Sequence, residues 1–67
     1  MINVTFYSAY SNPMLKIIRK CDSVKYQQET SKLSLYDAKH KLLCFAFADE
    51  FERIEIEQDG KLTQVII

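Results

Sequence analysis

The stretch KLLCFAFADEFERIEIEQDG, residues 41–60, starts as seven apolar side chains in eight positions and ends as isoleucines alternating with acids. Both halves fit a period of two, in which successive side chains point to opposite faces of a strand. Residues 42–48 read as a central strand covered on both faces, and residues 53–58 as a strand with one face in water. Between them, Asp49 is placed to cap a turn with Glu52 in its first turn. The strand period resumes at Ile54 and Ile56, so the sequence predicts at most one helical turn near residues 49–52.

Working outward, the same period recurs. INVTFYSAY alternates Ile2, Val4 and Phe6 with Asn3, Thr5 and Tyr7, and SNP at residues 11–13 closes it as a turn. MLKIIRK, VKYQQ and KLSLY follow as further strands. Asp59-Gly60 is the strongest turn signal, because a type I′ turn needs positive φ at both positions. A two-residue turn there sets Ile56 opposite Thr63 and Ile54 opposite Val65. Ile54, Ile56, Val65 and Ile67 then face inward, and Arg53, Glu55, Glu57, Leu62, Gln64 and Ile66 outward.

A four-residue DAKH loop would place Tyr36 opposite Lys41, Leu35 opposite Leu42 and Leu33 opposite Cys44. One face of that hairpin is then Leu33, Leu35, Leu42 and Cys44, and the other is Tyr36, Leu43, Phe45 and Phe47. The expected architecture is all-β, a single domain over residues 1–67. It forms an antiparallel meander of six or seven short strands, curled into an open sheet or a small barrel.

Sixty-seven residues bury only about 60% of the surface their unfolded chain exposes. A second complete sheet has little chain to build it, so the apolar reverse of residues 42–48 is covered either by curling or by another molecule. Nine basic and nine acidic residues cancel. The distribution is uneven: residues 14–41 carry a net +4 and residues 42–67 a net −4. No basic segment followed by a long apolar core opens the chain, and the run at 42–48 is far short of the ~20 residues of a membrane helix. Cys21 and Cys44 are too few for a disulfide framework; free thiols are expected, with a single Cys21–Cys44 bridge as the alternative, and the chain is expected in the reducing cytoplasm, away from membranes.

Catalytic chemistry finds no constellation. His40 is the single histidine, in a loop between lysines, and the hairpin register turns Cys44 away from it. Scattered acids and one histidine make no metal set, and one glycine makes no phosphate loop. No enzyme activity, metal or cofactor is expected. Tyrosines at 7, 10, 26 and 36 combine apolar area with a hydroxyl, a character enriched at contact surfaces.

In KLSLYDAKHKLLCFAFADEFERIEI, residues 32–56, the order of strand, polar turn, apolar strand, acidic turn and RIEI strand resembles short β-meander proteins of bacteriophages and mobile elements. Some such proteins bind and inhibit host defence proteins, so the resemblance implies a small binding protein. It assigns no functional residue.

The sequence therefore predicts a non-enzymatic protein–protein interaction module that also associates with itself. Glu55, Glu57, Leu62 and Ile66 are its candidate partner-binding residues. Tyr36, Leu43, Phe45 and Phe47 form its candidate aromatic or self-association face. The alternative is a nucleic-acid-binding sheet using Tyr26, Tyr36 and nearby lysines, against which the acidic C-terminal third stands.

Overall fold

In the computed structural model, which describes residues 1–8 and 15–67, the period of two becomes seven antiparallel strands. They are β1 (Ile2–Ser8), β2 (Leu15–Cys21), β3 (Ser23–Gln27), β4 (Lys32–Tyr36), β5 (Leu42–Phe47), β6 (Arg53–Gln58) and β7 (Lys61–Ile66). The predicted turn at residues 11–13 and Tyr10 lie outside the described residues. No helix among the described residues is long and apolar enough to cross a membrane.

Two sheets share the strands, with orders β2-β1-β6-β7 and β3-β4-β5, and neither closes into a barrel. Asp22 alone separates β2 from β3, and its amide donates to the Tyr36 carbonyl at 2.9 Å. The chain thus leaves the first sheet and enters the second at one corner. A 3-10 turn at Ala48–Glu50 carries it back, matching the single helical turn expected there. That turn is tied to both sheets: the Ala48 amide donates to the Ser31 carbonyl at 2.7 Å, and the Glu52 amide to the Tyr7 carbonyl at 2.8 Å.

The core lies between the sheets. Val4 and Phe6 of β1 stand opposite Ile56 and Ile54 of β6, and Leu33 and Leu35 of β4 come in from the other sheet. Val4, Leu33, Leu35 and Ile54 have no exposed surface, and Phe51 packs on Phe6 with ring centroids 5.1 Å apart. The β1–β6 pairing joins residues some fifty positions apart, a contact that local periodicity does not specify.

Three expectations are corrected. Residues 42–48 are not a central strand: among the described residues β5 pairs with β4 alone, and Leu42, Leu43 and Phe45 are each about half exposed. The β6–β7 register starts as expected, with Gln58 opposite Lys61, and then shifts by one residue at Thr63. Beyond this bulge Ile54 faces Ile66, so Ile66 is buried while Val65 and Ile67 are exposed. A one-residue slip turns every later side chain over. The Thr63 hydroxyl donates to the Ile56 carbonyl at 3.1 Å and holds the bulge.

In the β4–β5 hairpin Asp37, not Tyr36, meets Lys41, through an amide–carbonyl bond of 2.9 Å. A second shift follows at Leu43, so Tyr36 faces Leu42 and Leu35 faces Cys44. Leu42 therefore leaves the inward face. The two one-residue shifts add to two, which returns Cys44 inward and Phe45 and Phe47 outward, the faces the sequence predicts.

Candidate interaction surface

Strand β5 is positioned by a tightly made loop. The Asp37 carboxylate accepts from the amides of Lys39 and Lys41, both at 2.9 Å, and His40 takes a left-handed φ of 66°. His40 stacks on Tyr36 at 5.3 Å, which places the histidine on the sheet surface. With the loop fixed, the outer face of the β3-β4-β5 sheet reads in rows from the register. Lys25, Ser34 and Phe45 make one row, Gln27, Lys32 and Phe47 the next, and Ser23, Tyr36 and Leu42 the third.

Aromatic and cationic groups meet on this face. The Lys32 ammonium stands 4.5 Å from the Phe45 ring centroid, and Phe45 and Phe47 pack edge to face at 5.9 Å. Phe45 is 50% exposed and Phe47 36%. Leu42 continues this face toward the loop, and Leu43, at the shift in register, is also half exposed. Exposed apolar patches are features of protein or membrane contacts, of ligand grooves and of aggregation-prone surfaces. Strand β5 carries no charge among its six residues and ends the sheet, a combination that proteins otherwise avoid at an edge.

Tyr26 faces the other way. It stands opposite Leu33 and packs against the core, which removes it from any surface platform.

The four-stranded sheet presents a different outer face. Glu55 lies between Thr5 of β1 and Val65 of β7, and Glu57 between Asn3 and Leu62. Neither glutamate is on a free edge, since β6 is central, and both are half-buried. Glu55 is engaged within the molecule: it accepts from the Tyr7 hydroxyl at 2.9 Å and pairs with Arg53 at 3.3 Å, while Arg53 covers the Tyr7 ring at 4.3 Å. Leu62 is exposed beside Glu57. Ile66 belongs to the core, so the four candidate partner-binding residues do not form one surface.

No protein family model, curated protein or solved structure matches this chain.

Sequence reasoning missed a feature that both sheets build together. An open cleft of about 200 Å³ lies between them, lined by Phe6, Phe51, Cys44, Phe45 and Ala46, with Ile17 and Arg19 from β2. Its parts come from three strands and the 48–52 connection, and no local pattern joins them. Cys44 is a free thiol here, and Cys21 is a free thiol in the core.

Proposed function

We propose that this protein is a small cytoplasmic binding module without catalytic activity, working by protein–protein contact through β5. The observation that carries this reading is the uncharged edge strand with Leu42, Leu43, Phe45 and Phe47 exposed together. Copies of the chain meet through the same strand at high concentration. Two free thiols suit a reducing compartment. The resemblance of residues 32–56 to small phage β-meander proteins points the partner toward a host protein.

Light scattering across a dilution series tests this on the wild type and on a Phe45→Ser/Phe47→Ser variant. The expected wild-type mass rises above 7.9 kDa with concentration, and the variant stays monomeric. A variant that associates as strongly as the wild type would move the contact to another face.

One observation favours a second reading, a single-stranded nucleic-acid platform. Lys25 and Lys32 share the outer face with Phe45 and Phe47, the pairing of cations and rings on which bases stack. Such binding falls steeply with salt. Absence of binding to any homopolymeric oligonucleotide at low salt ends this reading.

A further inference from the structure

Among the described residues strand β5 ends its sheet, and beside it lies the cleft between the sheets. Among the described residues no backbone bond reaches the edge of β5 away from β4. A strand placed there would continue two rows of side chains. One row follows Leu33–Ala46 and Leu35–Cys44 into the cleft, and the other follows Ser34–Phe45 and Lys32–Phe47 onto the outer face, with Phe45 also bordering the cleft. Backbone pairing would supply affinity and the two rows would supply selectivity, the general logic of strand addition.

Charge selects the occupant. Arg19 lines the cleft, and among the described residues no carboxylate pairs with it. Lys32 stands on the other side of the strand, over Phe45. The six residues of β5 include no acid, so pairing between two copies through β5 brings Arg19 no partner from that strand and is the weaker use of the edge, reached only at high concentration. We propose that β5 accepts an extended strand from a partner protein, with apolar residues at alternate positions filling the cleft and an acidic side chain meeting Arg19. This rests on the reading of β5 as the contact strand and adds to it the mode of binding and the chemistry of the partner.

The test is selection from a library of random twelve-residue peptides displayed against the full-length protein, followed by titration of the enriched peptides. The expected winners alternate apolar residues, carry an acid, and lose binding when alternate backbone amides are N-methylated. Arg19→Glu, at an exposed position, should weaken them about tenfold. Winners indifferent to N-methylation and to Arg19→Glu, yet lost in Phe45→Ser/Phe47→Ser, would overturn strand addition while leaving β5 as the contact. No enrichment at all, with no self-association, would overturn both. Displacement of the peptides by a single-stranded oligonucleotide at low salt would reassign the surface to nucleic acid.

Discussion

Ile66 lies directly across from Ile54, and both side chains are in the core, one residue out of step with the Asp59-Gly60 turn that begins their hairpin. Thr63 absorbs the difference as a bulge. Truncating Ile66 to Ala should cost about 2–5 kcal/mol, and Val65→Ala less than about 0.5 kcal/mol, because only the first leaves a cavity. Urea midpoints of the two variants check this, and equal costs would contradict the register.

The turn itself depends on backbone conformation. Asp59 has φ 52° and Gly60 φ 82°, and a Cβ added at Gly60 would meet nothing within 4 Å. Gly60→Ala therefore carries only the penalty of a left-handed φ, about 1 kcal/mol. A larger loss in chemical denaturation would mean that the substitution also disturbs the bonds between Asp59 and Met1.

Glu55 and Glu57 separate under substitution. Glu55→Lys breaks the bond from Tyr7 and sets a lysine beside Arg53, so it should lower stability by about 1–2 kcal/mol. Glu57→Lys loses no side-chain bond seen in the structure and should stay within about 0.5 kcal/mol. Thermal melts of the two proteins distinguish them. Only Glu57→Lys is then a clean probe of partner binding at that face.

Burial, the charge of Asp22 and the neighbouring Cys44 hold the Cys21 thiol above its ordinary pKa of 9.0, with the N-terminal amine opposing them. The folded protein keeps this proton to higher pH than the unfolded chain does. Its contribution to stability is complete below about pH 9 and is lost as pH rises from there through the folded-state value. The fall in urea midpoint above pH 9 should be shallower in Cys21→Ala than in wild type. A neutral maleimide at pH 7 should label Cys44, which is partly exposed, well before Cys21.

Much of the strand content was legible because alternation is local. Val4, Phe6, Leu33, Leu35, Ile54 and Ile56 all sit on the faces their period assigns. Register was less legible, because a bulge costs one residue and leaves no sign in hydropathy. One bulge at Thr63 was enough to exchange Val65 for Ile66, whereas two shifts in the β4–β5 hairpin add to a full period of two and leave Phe45 and Phe47 outward. Strand order was hidden for a different reason. The pairing of β1 with β6 makes β6 central and leaves β5 at an edge, which exposes residues 42–48 where burial on both faces was expected, while 53–58 keeps its one inward face. The cleft beside β5 follows from that order, and so it could not be read before it.

The most direct test asks which exposed apolar group touches a partner in the cell. A photo-crosslinking phenylalanine analogue is placed singly at Phe45, on the outer face of β5, and at Ile18 and Leu62, exposed on the other sheet. Adducts with protein should form from position 45 and be largely absent from 18 and 62. Adducts concentrated at 18 or 62, with none at 45, would contradict the assignment of β5 as the contact strand.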